Sequence, residues 1–420
     1  MFPSPIARPL AVAALIAVHL AVGAGPALAG KLKVPKEYPT IADAIAAASK
    51  NDVIQISTGT YHEQLVVPEH LVGLRVVGVG NVVIDADGVG VGPVIAVKAP
   101  KVRIESLTLR NAISGSTGAI DFGNGVSVWG SATGSELIDL TVLHCAKRGV
   151  SISASNTVVK SCRIESVETG VFSYSFTSDT RVEDCSVRHT EGGIHTHGDR
   201  SRVLDNRVHD TRDKPFIATA IYVDGVDSVA IDNTISNAGT ALLIAGSANV
   251  AKRNTISACD SGLHVTNDSA TIDQNEIEYC SGVGVWVNGA MASLRKNEVT
   301  GCNSGFSIVG TDATLEGNVA RSGAYDGFIV YGARAELIDN RALDNGIDGF
   351  DIRDGVDHQL TANVALKNRG EGIEVHTLGT SLRLNVAKKN QLDIAATVPL
   401  TLFAKNVFQT GGPESPPLAD

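Results

Sequence analysis

The sequence predicts an all-β solenoid built from coils of about 21–23 residues, and three observations carry that prediction. First, an asparagine returns at Asn206, Asn233, Asn254, Asn275, Asn297, Asn318, Asn340, Asn363, Asn385 and Asn406, at intervals of 27, 21, 21, 22, 21, 22, 23, 22 and 21 residues. Second, about eight residues after each asparagine a glycine opens a short apolar run, as in Gly262-Leu263-His264-Val265 and Gly372-Ile373-Glu374-Val375. Third, 43 glycines with only 5% aromatic residues suit thin stacked coils rather than a bulky sandwich. A fixed period in the twenties with β alternation implies one supersecondary unit per repeat, each burying its apolar face on its neighbours.

The chain starts with a leader-like segment. Arg8 precedes the apolar run Leu10 to Val22, and Ala27-Leu28-Ala29 is a small-x-small cleavage site, so residues 1–29 read as a signal peptide. The mature chain is then expected to be secreted or periplasmic, without a membrane span. Residues 30–52 read as an N-terminal segment with a capping helix. Thr40 is a good N-cap with Asp43 three residues on, and alanines follow. Such a helix covers the open end of a solenoid, where free strand edges would recruit other chains. Residues 53–408 form the repeat itself, and 409–420 a glycine- and proline-rich disordered tail.

Upward from Asn206 the asparagine position is held by Cys185, Cys162 and Leu140, and two coils carry insertions, Asn111–Asn124 and Arg212–Thr219. Six cysteines in an exported chain invite pairing, but Cys259, Cys280 and Cys302 share one column and Cys145 has the same register. Stacked side chains point the same way, which disfavours bridges. Buried thiols are expected, with Cys162–Cys185 the leading candidate for a bridge.

Side chains alternate across a strand. In the glycine-led strands one outward column reads Ser127, Ser151, Phe172, His195, Tyr222, Leu243, His264, Trp286, Ser307, Ile329, Asp351, Glu374. A second reads Tyr174, His197, Asp224, Ala245, Thr266, Asn288, Val309, Tyr331, Arg353, His376. Three consecutive coils therefore present Phe172 with Tyr174, His195 with His197, and Tyr222 with Asp224; Asp199, Arg200 and Lys214 are placed at the rim. Flat rings beside hydrogen-bonding and titratable groups suit sugar recognition and proton chemistry. An aromatic face that merely packs on a loop or partner is the alternative. His264 and Trp286 extend the groove.

The segment from Tyr38 through Thr60-Tyr61-His62-Glu63 resembles the opening of pectinesterases and related secreted proteins, and with the repeat it resembles the right-handed, single-stranded parallel β-helix superfamily. That resemblance implies a carbohydrate polymer as partner, commonly one containing uronic acids. Lyase or C5-epimerase action on such a polymer needs a cation to hold the sugar carboxylate, a base for the C5 proton and an acid. His197 or His195 suits the base, Tyr222 or Tyr174 the acid, and Arg200 or Lys214 the cation; Phe172, Tyr174, Asp224, His264 and Trp286 would line the substrate. Ile194-His195-Thr196-His197-Gly198-Asp199-Arg200-Ser201 is similar to the Asp-Pro-His-Asp-Arg-Ser segment of alginate C5-epimerases. His197 matches the family histidine; His195 stands for its aspartate, Thr196 for its proline, and Gly198 is inserted. Gly118-Ala119-Ile120-Asp121-Phe122-Gly123-Asn124 faintly resembles the catalytic segment of pectinesterases, without their Gln-Asp-Thr partner.

Two rival functions remain: a non-catalytic carbohydrate-binding or cell-surface module, and a periplasmic metal-handling protein like the β-helix proteins of nitrous-oxide reductase maturation. Two methionines and no His/Met-rich tract count against the second. A hydrolase using Asp199 and Asp224 is a further option. The charge distribution favours the upper half for a polyanion. Leu140–Pro215 holds 11 Lys/Arg and 10 Asp/Glu, whereas Thr311–Thr380 holds 12 acids and six bases. In the acidic half Asp326, Asp348 and Glu371 stack before the coil glycine, with Asp351 and Glu374 three residues beyond the last two. These read as solvated turn acids or as a Ca²⁺ site. With net charge −10 no nucleic-acid partner is expected, and the chain is expected to act as a monomer.

Overall fold

The computed structural model describes residues 29–115, 123–211 and 218–410. The segment read as a leader, up to residue 28, Lys214, the tips of both insertions, most of the Gly118–Asn124 motif and the segment from residue 411 lie outside the described residues.

Each coil contributes two short strands separated by a two-residue corner, then one glycine-led strand. In one coil these are Ser293–Arg295, Glu298–Thr300 and Ser304–Ile308. All pairings run parallel between successive coils, giving one sheet of 15 glycine-led strands and one of 31 that bends at every corner. The fold is a right-handed β-solenoid, as the repeat predicts.

The corner is built from backbone and amide chemistry. The residue before each column asparagine has φ between +50° and +66°, as at Asp205, Asp232, Arg253 and Gln274. That conformation is costly for most L-residues, and Asp or Asn tolerates it best. The asparagine that follows is buried, with its Oδ1 accepting from both the N–H and the Nδ2 of the asparagine one coil before. Asn275 N and Nδ2 each lie 2.9 Å from Asn297 Oδ1, and Asn275 Nδ2 also donates to Ala251 O. The pattern repeats without a break from Asn206 to Asn406. Buried amides thus satisfy one another, which is why the column is structural.

Cys185 and Cys162 continue the ladder with sulfur. Cys185 N donates to Asn206 Oδ1 at 3.0 Å and Cys162 N to Cys185 Sγ at 3.5 Å. All six cysteines are free and buried, so the expected thiols are found and the Cys162–Cys185 bridge is not. A second ladder, missed in the sequence, runs Asn345, Asn368, Asn390 and ends on Asp393. It prolongs the column of Cys259, Cys280 and Cys302.

The core is one apolar cluster running the length of the coil, with Phe306, Phe328 and Phe350 stacked at 4.7 and 4.8 Å. The coil glycine is required by space: a Cβ at Gly193 would lie 2.1 Å from the Ala220 carbonyl. At the N-terminal end the helix Ile41–Ala47 is capped by Thr40, whose side chain accepts from Asp43 N. Glu63 holds it down by accepting from Ile41 N and Ala42 N at 3.0 and 2.9 Å. Parallel pairing already begins at Lys31–Val34 against Val53–Ile56, inside the segment assigned to the cap. At the other end Gln409 and Thr410, assigned to the tail, are instead held by Asp393, whose Oδ2 accepts both backbone N–H groups.

Candidate functional site

The outward columns are where the alternation placed them. Ser127, Ser151, Phe172, His195, Tyr222, Leu243, His264, Trp286, Ser307, Ile329, Asp351 and Glu374 pair in unbroken register down the 15-stranded sheet. Phe172, Tyr174, His197, Tyr222 and Asp224 form one surface cluster. Phe172 meets Tyr174 edge-on at 5.0 Å and the His197 ring at 5.0 Å. The His197 and Tyr222 rings meet edge-on at 4.8 Å.

Asp224 ties two of these groups together. Its Oδ2 is 3.3 Å from His197 Nδ1, and its charge also acts on the neighbouring Tyr222 phenol. Partial burial, reinforced by the nearby Asp224 charge, raises the Tyr222 phenol above its ordinary value. The His197–Asp224 contact selects the tautomer with the proton on Nδ1, leaving Nε2 as acceptor.

The cation of this face was not anticipated. Arg148 lies in the position before the coil glycine, with its guanidinium carbon 3.8 Å from the centre of the Phe172 ring. Its Nη1 donates to the Tyr174 hydroxyl at 2.7 Å and to Ser151 Oγ at 3.3 Å. Among the described residues its Nε and Nη2 make no hydrogen bond. Two more rings were missed. Phe176, 69% exposed, stacks on Tyr174 at 5.3 Å, and Trp129, under Lys98, opens the second outward column two rungs above Tyr174.

Four expected site residues are placed differently or lie outside the described residues. His195 is not an exposed base. It is 8% exposed, its Nε2 lies 2.9 Å from Thr219 O, and burial lowers it to about 4. The niche exists because Gly192 has no side chain: a Cβ there would lie 2.6 Å from His195 Cε1. Arg200 is not available to a sugar carboxylate either. It forms a two-pronged pair with Asp179 at 2.9 and 2.8 Å in the turn. Asp199, a hydrolase candidate, accepts from Val226 N and so caps the next turn. Lys214 lies outside the described residues. His264 and Trp286 pair edge-on at 5.4 Å two and three rungs below Tyr222, a separate cluster on the same face.

The acidic ladder is not solvated. Asp326, Asp348 and Asp351 are buried, with Glu371 and Glu374 half-buried beside them. Asp326 Oδ1 accepts from Asp348 N and Asp348 Oδ1 from Glu371 N, so the carboxylates also cap successive coils. Burial, then the hydrogen bond shared with Glu371, pushes Asp348 well above the usual carboxylate range.

Residues 261–398 match the family described as "Right handed beta helix region", and residues 109–279 match "Periplasmic copper-binding protein (NosD)". No functionally curated sequence matches the chain. Among solved structures it is similar to the Dettilon tailspike protein, at 14% identity and TM-score 0.40, covering 86% of this chain and 64% of that one. It is also similar to the mannuronan C-5 epimerase AlgE6 A-module of Azotobacter vinelandii, at 15% identity and TM-score 0.40, covering 89% and 93%. A third is an alginate lyase from Paenibacillus sp. str. FPU-7, at 14% identity and TM-score 0.44, covering 63% and 94%. No helix among the described residues is long and apolar enough to cross a membrane. The parallel coils and these two partial matches agree on the fold, a right-handed parallel β-helix.

Proposed function

We propose that the chain is an exported, monomeric protein that acts on a uronic-acid polysaccharide by lyase or C5-epimerase chemistry, at the face formed by Arg148, Phe172, Tyr174, His197, Tyr222 and Asp224. The observation that carries the reading is the contact of His197 with both Asp224 and the Tyr222 ring, with a stacked arginine two rungs above His197. Arg148 pairs with the sugar carboxylate through its free guanidinium edge and stabilises charge that develops there. His197 Nε2 takes the C5 proton, and the imidazolium is stabilised by Asp224. In the lyase course the electron pair left at C5 forms the C4–C5 double bond, the C4–O bond breaks, and the Tyr222 hydroxyl protonates the leaving oxygen. In the epimerase course the same phenol returns a proton to C5 from the opposite face. Tyr222, held protonated, suits either delivery. Phe172, Tyr174 and Phe176 supply ring faces for the sugars on either side.

The test is incubation of purified protein with alginate, polygalacturonate and glucuronan. New absorbance from unsaturated ends identifies a lyase; solvent deuterium entering C5 without chain cleavage identifies an epimerase. Binding with neither change would leave a non-catalytic carbohydrate module, and chain shortening without unsaturation a hydrolase.

A metal-handling reading has its own support in the copper-binding family match and in His189 and His209, whose rings lie 6.4 Å apart beside Asp210 on the other sheet. Among the described residues, no group of three ligand atoms within 4.8 Å of one another includes two histidines. Absence of a copper-dependent absorbance change on titration would dispose of it.

A further inference from the structure

We propose that the acidic ladder is a Ca²⁺ site, with Asp351 at its centre and Asp326, Asp348 and Glu374 as further ligands. It lies on the same sheet as the polysaccharide face but six rungs below Tyr222, at about 4.8 Å per rung. The two sites share no residue.

Two independent observations point to a ligand. The first is geometric. One oxygen each from Asp326, Asp348 and Asp351 lie within 4.8 Å of one another; Asp351 also groups in this way with Glu374 and His376, and Asp348 with Glu371 and Glu374. Oxygens on opposite sides of a Ca²⁺ at 2.4 Å are about 4.8 Å apart, so the spacing is that of a common coordination sphere. The second is an orphaned atom. Asp351 is fully buried, its Oδ2 bonds Arg353 Nε, and its Oδ1 has no hydrogen-bond partner among the described residues. A buried carboxylate oxygen without a donor is a large unmet cost, and an oxygen-seeking cation removes it.

Charge balance argues the same way. Five carboxylates converge here: Asp326, Asp348, Asp351, Glu371 and Glu374. Facing them are one guanidinium, Arg353, paired with Asp351 and 3.7 Å from Asp326, and His376, 3.2 Å from Glu374. Tyr331 contributes a hydroxyl 3.5 Å from Arg353 Nη1. Stacked like charges on adjacent parallel strands repel unless a cation lies between them. The donor set is almost wholly carboxylate, which selects a hard cation. The half-buried Glu371 and Glu374 leave the irregular, adaptable shell that Ca²⁺ accepts and the tighter Mg²⁺ octahedron does not.

The experiment uses the full chain, stripped with EDTA and titrated with Ca²⁺ by calorimetry, with Tm followed in parallel. One Ca²⁺ bound per chain and a raised Tm are expected. Asp351→Asn keeps the shape of the side chain and should weaken binding about tenfold or more with an unchanged far-ultraviolet CD spectrum. Should that variant not fold, Glu374→Gln, at the half-buried edge, is expected to weaken binding as well. Tb³⁺ provides a probe of place: emission excited through Tyr331 should rise on binding, fall as Ca²⁺ displaces it, and be largely lost in Tyr331→Phe. The proposal is overturned by no heat and no Tm shift with Ca²⁺, by binding that both carboxamide variants retain in full, or by a site that takes Mg²⁺ or Zn²⁺ and not Ca²⁺. Each outcome is independent of activity on any polysaccharide.

Discussion

Asp224 Oδ2 lies 3.3 Å from His197 Nδ1 across one rung of the solenoid, so a carboxylate from one coil fixes the imidazole of the coil before it. Parallel pairing sets this relationship: residues of one column are brought to neighbouring rungs whatever their sequence distance, here 27 residues. In the proposed mechanism Asp224 is a positioning group, whereas the sequence placed it among the substrate contacts. Asp224→Asn tests it. The carboxamide can donate to Nδ1, which favours the tautomer with the proton on Nε2, and that nitrogen then cannot accept from C5. Turnover should fall roughly 10²-fold or more with KM little changed, whereas His197→Ala should cost about 10²–10⁴-fold. A loss confined to KM, measured on the polymer that gives activity, would be inconsistent with this role.

Arg148 makes a prediction of a different kind. Arg148→Met keeps the stem that packs on Phe172 and removes the charge. Losing a charge-assisted hydrogen bond of about 1.5–3 kcal/mol corresponds to roughly 10–150-fold, read in kcat/KM. On a methyl-esterified polymer, which has no carboxylate to pair, the variant and the wild type should differ little. An equal loss on both polymers would point to disturbed packing.

Much of this site was legible from period alone. Once the asparagine fixes the register, Phe172, His195 and Tyr222 fall on adjacent rungs, because a parallel solenoid with one coil per repeat leaves no other topology. What escaped was side-chain detail within the columns. The position before the coil glycine forms a run of one sign at Asp326, Asp348 and Glu371, whereas Arg148 stands there between Asn124 and Thr169 and makes no pattern. His195 is drawn inward by the double glycine Gly192-Gly193, a local cue that alternation does not weigh. Arg200 and Asp179 are turn residues of one column, with φ of 52° and 56°, so their pairing follows from the turn register and not from the strand pattern.

His195 couples the site to pH through stability. Its folded-state value of about 4 lies below the ordinary value near 6.5, so between these limits the unfolded chain binds more protons. The stabilisation is complete above about pH 6.5 and is lost as pH falls towards 4. The change of about 2.5 in pKa corresponds to ~3 kcal/mol. His195→Gln should flatten this part of the dependence of Tm on pH; a slope identical to wild type would remove His195 as its source.

The cysteines at the head of the asparagine ladder predict a stabilising substitution. Cys185 N is satisfied by Asn206, yet Cys185 offers only its sulfur to Cys162 N, at 3.5 Å, and sulfur is a weak acceptor. An asparagine at 185 is close in volume and would meet the neighbour it has everywhere below: Oδ1 to accept from Cys162 N, Nδ2 to donate to Asn206 Oδ1 and to the Val159 carbonyl, now 3.7 Å from the thiol. Each well-formed bond contributes about 1 kcal/mol, and the thiol leaves little apolar burial to lose. Cys185→Asn should therefore match or exceed the wild-type Tm, whereas the reverse change within the ladder, Asn297→Cys, should lower it, since Asn275 N and Nδ2 and the Ile272 carbonyl all lose their amide partner. Thermal unfolding of the two variants beside wild type reads the difference directly; a Cys185→Asn protein that melts lower than Asn297→Cys would show that the column at 185 is set by size rather than by amide pairing.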